Sequence, residues 1–157
     1  MEPRYVRESV SEYAELALPN DTNARGTLLG GKVMHLVDLA GAMAAMRHAR
    51  SVVVTASIDY MTFLHPVHVG QLVMLRSSVN RVFRTSMEVG VKVFVEDLIT
   101  GETRHTSSAY LTFVAIDAQG NRITIPQVIP ETDVEKRRFE EAARRREERL
   151  ALRERAR

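Results

Sequence analysis

No cysteine occurs in the 157 residues. That absence excludes a disulfide scaffold, a thiolate nucleophile and every cysteine-based metal site. No apolar run approaches the length of a membrane span. The first residues, "MEPRYVRESVSEYAELALP", carry charges throughout and lack the apolar centre of a secretory signal. A cytoplasmic protein without a membrane partner is therefore expected. The chain contains no GxSxG elbow, P-loop, dinucleotide fingerprint or HExxH zinc motif. Five histidines are present (His35, His48, His65, His68 and His105), but the paired ones sit in "HPVH", broken by a proline, with no carboxylate cluster beside them. No metal and no cofactor are expected. Neither does either sign of charge dominate: 22 Lys and Arg against 20 Asp and Glu leave a formal charge of +2. Acids interleave with the arginines of "EKRRFEEAARRREERLALRERAR", the pattern of a solvated helix with i,i+4 pairs, so no nucleic-acid partner is expected.

What remains is an ordinary globular composition, 45% hydrophobic and 27% charged, long enough for a substantial core. Residues Arg4 to Leu18 read as an edge strand with an irregular approach, closed by the loop "PNDTNARG". In "GGKVMHLVDLAGAMAAMRHA" apolar residues fall nearly all the way round a helix, from Val33 and Met34 to Met43 and Met46. The period then changes. "SVVVTASIDYMTFLHPV" and "GQLVMLRSSVNRV" are strand-like, and "TSMEVGVKVFVED" alternates, with Met87, Val89, Val91, Val93 and Val95 on one face and Glu88, Gly90 and Lys92 on the other. "DLITGE" turns the chain into the strand "TRHTSSAYLTFVAID", and "AQGNR" turns it again. A helix apolar around most of its girth needs a sheet that curves about it, so the expected fold is α+β, a bent antiparallel sheet wrapped on a central helix. The expected division is a domain at 1–130 and a charged helix or tail at 131–157, opened by the capping-box pair Thr132 and Glu135.

Three features carry possible chemistry. Gly30 and Gly31 stand where loop becomes helix. They serve either a tight turn or the close approach of a ligand to the unpaired N–H groups there, which favour an anion or oxyanion. Asp38 lies about two turns further along the same face, either facing a substrate carbonyl or pairing with His35 one turn back. Asn23 offers an amide in the preceding loop, where "NDTN" before glycine is also plain turn chemistry.

The stretch "PNDTNARGTLLGGKVMHLVDLAGAM" resembles the hotdog-fold acyl-CoA thioesterases of the acyl-CoA hydrolase family, which includes bacterial short-chain enzymes and the cytosolic brain-type enzyme with two fused hotdog domains. "RHARSVVVTASIDYMTF", "RTSMEVGVKV", "SSAYLTFVAID" and "IPQVIPETDVEKRRFEEA" agree in the same order. The resemblance implies hydrolysis of fatty acyl-CoA to free acid and coenzyme A, with coenzyme A as part of substrate and product. It implies a homodimer, assembled as a trimer of dimers, with the active site between two hotdogs. One contributes Asn23, and its partner contributes Asp38 as general base on water or, in the alternative, as direct nucleophile. The Gly31 amide would hold the oxyanion beside Gly30. On the same footing Arg81 and Arg84 would meet the phosphates of coenzyme A with Thr85 and Ser86, and Thr55 and Ser57 would line the pantetheine channel; each is otherwise an exposed strand residue. Two competing readings are a hotdog hydratase or dehydratase using His35, and a non-catalytic acyl-CoA sensor.

Overall fold

The computed structural model describes residues 1–157. Elements follow in the order β1 (Arg4–Tyr5), β2 (Ser11–Leu16), α1 (Gly30–Ala49), β3 (Val52–Ile58), β4 (Leu72–Val82), β5 (Ser86–Glu96), β6 (Thr103–Ile116), β7 (Val128–Ile129) and α2 (Asp133–Arg155). Five strands form one antiparallel sheet in the order β2-β4-β5-β6-β3, while β1 and β7 pair in parallel as a small second sheet. The expected α+β class and the succession of long helix and antiparallel strands both hold.

The alternation in β4, β5 and β6 decides which face meets α1. Val73, Leu75 and Val79, then Met87, Val89, Val91 and Val93, then Ala109, Leu111 and Phe113 all point inward and are buried. Each large side chain of this kind is worth about 1.5–3 kcal/mol on burial. Gly41 lets α1 settle onto β6, because a Cβ there would stand 3.1 Å from the Phe113 ring. Register shifts lie between Val79 and Arg81 of β4, between Thr55 and Ser57 of β3, and between Val93 and Phe94 of the β5–β6 ladder. Such irregularities bend and twist a sheet, as wrapping a helix requires.

The helix itself is enclosed less than its composition suggests. Val33, Leu36, Val37, Ala40, Gly41, Ala44, Ala45 and His48 make one buried stripe. Met34, Leu39 and Met46 remain exposed by 40–47%. The physical reason is that one curved sheet covers one side of a helix, and the second apolar side stays at the surface. α1 ends at Arg50, which takes a left-handed conformation (φ 54°) and donates its N–H to the Met46 carbonyl at 2.7 Å.

α2 begins at the expected capping box: Glu135 donates its N–H to the Thr132 hydroxyl at 3.1 Å, and its carboxylate accepts from the Glu131 and Thr132 amides. It docks across the outer face of the sheet through Ala142, Phe139 and a set of arginines. Glu88, assigned by alternation to the outer face with Lys92, is 0% exposed, because α2 lies over it. Arg145 donates to its carboxylate from two nitrogens at 2.7–3.1 Å, Asn80 adds a bond at 3.0 Å, and Arg149 adds one at 3.3 Å. Desolvation opposes the Arg145 charge, and the bond and charge of Glu88 outweigh it, holding the guanidinium above its ordinary value.

Candidate active site

The loop between β2 and α1 is built by Asn23. Its Oδ1 accepts from the amides of Arg25 (2.9 Å) and Thr27 (3.2 Å), and its Nδ2 donates to the Thr27 hydroxyl at 2.8 Å. The turn chemistry is therefore present. The side chain is nonetheless exposed, and the second Nδ2 hydrogen has no acceptor in the chain. Two contacts fasten this loop to the helix start. Leu29 donates its N–H to the Asp21 carbonyl at 2.9 Å, and Lys32 reaches Glu15 at 2.9 Å and Asp21 at 3.6 Å. The bond from the Tyr13 hydroxyl and then that from Lys32 hold the Glu15 carboxyl below its usual range, and Glu15 raises Lys32 in turn.

At the helix start, Leu29 supplies no side-chain cap and the first turn has no acid. The amides of Gly30 and Gly31 find no acceptor within the chain. They are two of the donors that a helix N-terminus leaves free, at its positive end. Neither glycine has positive φ, and a Cβ on Gly31 would meet nothing within 4 Å. A tight turn therefore does not explain the pair. What Gly31 preserves is open space in front of two unpaired N–H groups.

Asp38 does not pair with His35. Its Oδ1 accepts from the Thr55 hydroxyl at 2.7 Å, and no cation bridges to it. The carboxylate is half-buried between α1 and β3, with Oδ2 unbonded. Thr55, expected along a substrate channel, is the hydrogen-bonded neighbour of the acid, next to the β3 irregularity. Thr27 beside Asn23 was not singled out in the sequence, and the pairing of Thr55 with Asp38 was not foreseen there. Their signal was a hydroxyl near each polar candidate, too common to stand out.

Within one chain the candidates form three groups, not one. Asn23, Gly30 and Gly31 lie at the start of α1. Asp38 and Thr55 lie about 10 Å further along the helix. Arg84, Thr85 and Ser86 lie at the β4–β5 turn, next to the β6 end Val114–Ala115, beyond the other end of α1. Arg81 is committed elsewhere: it donates to the Phe139 carbonyl at 3.0 Å and stacks on the Phe139 ring at 3.9 Å. Arg84 is exposed and forms no ion pair. Ser57 follows the β3 irregularity, half-buried.

β3 is an edge strand with one side unpaired. Val52 is 57% exposed, and Val54, Met34, Leu39 and Met46 extend the apolar surface along it. An unprotected apolar edge of this kind invites pairing with another strand. No helix of the chain is long and apolar enough to cross a membrane.

The profile of the thioesterase superfamily matches residues 25–102. The chain belongs to that superfamily, whose hotdog fold is the helix and curled sheet described above. Its relatives narrow the branch to the acyl-CoA thioester hydrolases. It is 42% identical over 134 residues to the uncharacterized acyl-CoA thioester hydrolase YkhA of Bacillus subtilis, covering 85% of this chain and 78% of that one. It is 32% identical over 142 residues to the human cytosolic acyl coenzyme A thioester hydrolase, covering 89% of this chain and 37% of that longer protein. A hexameric acyl-CoA thioesterase solved in apo form superposes with a TM-score of 0.93 at 43% identity over 97% of both chains. The acyl-CoA hydrolase of Staphylococcus aureus, solved with butyryl coenzyme A and coenzyme A, gives 0.91 at 36% identity over 98% of this chain and 94% of that one.

Proposed function

We propose that this chain hydrolyses fatty acyl-CoA thioesters at sites shared between two copies, with Asp38 supplied by one subunit and Asn23 and the Gly31 amide by the other. The observation that carries this reading is Asp38 itself. It is a half-buried carboxylate with a single neutral partner, Thr55, beside an open apolar strand edge. Burial of that kind is expensive unless the group has work to do.

A two-fold pairing along β3 sets the α1 helices side by side and antiparallel. With its centre near Met34 or His35, the start of one helix then faces Asp38 of the other. This removes the separation of about 10 Å that prevents Gly31 and Asp38 of one chain from serving the same carbonyl. The same pairing carries the β4–β5 turn of the Asp38-donating subunit toward the Asn23 end of its partner. Arg84, with Thr85 and Ser86, is thereby offered to the phosphates of coenzyme A. Arg81, engaged with Phe139, has no such part. Three such dimers in a hexamer would match the assembly of the apo thioesterase it resembles.

In the reaction, Thr55 holds Asp38 Oδ1, and Oδ2 takes a proton from water as the water oxygen bonds to the thioester carbon. The carbonyl oxygen becomes an oxyanion held by the Gly31 N–H at the positive end of α1. The free Nδ2 hydrogen of Asn23 orients the water or the carbonyl. Collapse breaks the C–S bond, and the thiolate of coenzyme A leaves and recovers the proton from Asp38. Further support comes from the Staphylococcus aureus hydrolase. That enzyme has been solved with alanine replacing an asparagine, an aspartate and a threonine that recur in the order and spacing of Asn23, Asp38 and Thr55. The human relative is named cytosolic, in keeping with action in the cytoplasm.

The test is thiol release from a panel of saturated acyl-CoAs. Wild-type protein should release coenzyme A, and Asp38→Asn should lower kcat by about 10²–10⁴-fold with the oligomer unchanged. Turnover of Asp38→Asn near the wild-type rate would remove the assignment. Tight binding without thiol release would favour a sensor, and consumption of an enoyl-CoA without thiol release a hydratase.

A further inference from the structure

The charge cluster under α2 reaches across to the active-site side of the molecule. Arg149, near the end of α2, donates to Glu88 at 3.3 Å and to Asp59 Oδ2 at 2.7 Å. Glu88 is immobilised by Arg145 and Asn80, and Arg145 lies 3.6 Å over the Tyr110 ring. Asn80 reaches Glu88 through space that Gly90 leaves empty, since a Cβ on Gly90 would stand 2.9 Å from its Nδ2. Glu88 is thus a fixed point, and Arg149 is the arm that extends from it to Asp59.

Asp59 is the residue at which the chain leaves β3. Its N–H donates to the Tyr110 carbonyl at 2.9 Å, and the next backbone tie to the sheet is from the Leu64 N–H to the Thr106 carbonyl at 3.1 Å. Between these ties runs the span Tyr60–Phe63. Phe63 ends it with its ring 3.7 Å from where a Gly30 Cβ would be. There it lines an open cavity of ≈ 300 Å³ whose apolar wall is Leu28, Val33, Phe63 and Val67. The cavity opens beside the unpaired amides of Gly30 and Gly31, where the reading above holds the thioester carbonyl.

We propose that the Arg149–Asp59 pair is a strut that fixes Phe63 over this cavity and so limits the length of acyl chain the enzyme accepts. Arg149 and Asp59 are positioning residues for substrate choice, acting through Phe63, and α2 is part of the specificity apparatus. The inference rests on the hydrolase reading. Burial pushes the Asp59 carboxyl up, and the charge and hydrogen bond of Arg149 only partly offset it. A buried pair whose desolvation rivals its attraction contributes little to stability. Nor does α2 need it for docking, since Arg145 already binds Glu88 through two nitrogens.

The experiment compares kcat/KM for saturated acyl-CoAs of increasing length, read by thiol release, in wild type, Arg149→Gln, Asp59→Asn and the double variant. Arg146→Ala, which lies over Phe83 and away from the strut, is the control. Freeing Phe63 should raise the ratio of longer-chain to butyryl-CoA turnover by about fourfold for each methylene newly admitted. Both single variants should show the shift, the double variant no more than either, and Arg146→Ala none. Amide exchange across Tyr60–Leu64 should quicken in the same three variants. Unchanged profiles, additive shifts, or an equal shift in Arg146→Ala would overturn the strut. Asp59→Asn keeps the side chain's shape and removes the charge that burial disfavours, so it decides the matter if Arg149→Gln folds poorly. Absence of thiol release by the wild type from any acyl-CoA would strike the hydrolase reading instead, and the exchange comparison would then decide the strut alone.

Discussion

Two carboxylates lie on opposite faces of the same sheet and have opposite surroundings. Glu88 is sealed beneath α2 and takes bonds from three side chains, two of them cationic. Asp38 sits at the open β3 edge with one hydroxyl for company. A buried charge supplied with donors on every side belongs to the framework of a fold. A carboxylate with spare hydrogen-bonding capacity, near unpaired amides and at an incomplete surface, belongs to chemistry. Burial alone would rank Glu88 as the more unusual residue; the inventory of partners reverses the ranking.

The comparison breaks most readily in unfolding experiments. Glu88→Ala leaves the half-buried Arg145 charge with only the long contact to Glu141 at 3.9 Å and should cost about 3–5 kcal/mol. Asp38→Ala removes one hydrogen bond from a neutral donor to the carboxylate and should cost less, about 1.5–3 kcal/mol. Urea midpoints measured on both variants test the contrast, and equal losses would abolish it. Gly31→Ala sharpens the case from the other side. Its new Cβ meets nothing in the chain, and alanine is the better helix former by about 0.5–1 kcal/mol. Thermal stability should hold or rise, while kcat/KM falls about ten- to a hundredfold, less than the loss of a whole oxyanion donor. Retained activity would mean the space before Gly31 is unused.

A smaller effect comes from His48, fully buried at the end of α1. Its Nε2 meets the Pro126 carbonyl at 2.7 Å, which requires the N–H there and leaves Nδ1 bare. Burial holds its pKa below the ordinary value. The unfolded chain therefore binds the proton more readily, and stability present above about pH 6.5 is lost as pH falls through the window toward the folded value. Melting curves from pH 7.5 to 5 should show that decline, and His48→Gln should flatten it.

Much of the fold was legible because period and punctuation agreed. The apolar helix and the alternating strands each imposed one reading, the double glycine marked where loop becomes helix, and the Thr132–Glu135 box marked the start of α2. What covers a face was not legible. Alternation placed Glu88 outward correctly, yet nothing local reveals that a helix carrying Arg145, 57 residues later, lies over it. For the same reason Arg81 resembled a phosphate ligand until Phe139 was found beneath it. Asp38 could be singled out, but its partner could not: Thr55 is adjacent only through the packing of α1 on β3.

Mixing two disabled variants tests the shared site directly. Asp38→Asn and Asn23→Ala, each with thiol release greatly reduced, should recover about a quarter of wild-type activity when unfolded and refolded together in equal amounts. Half of the randomly formed dimers are then mixed, and each mixed dimer holds one intact site. No recovery, with mixed dimers demonstrably present, would place the acid and the amide in a single subunit and contradict the account.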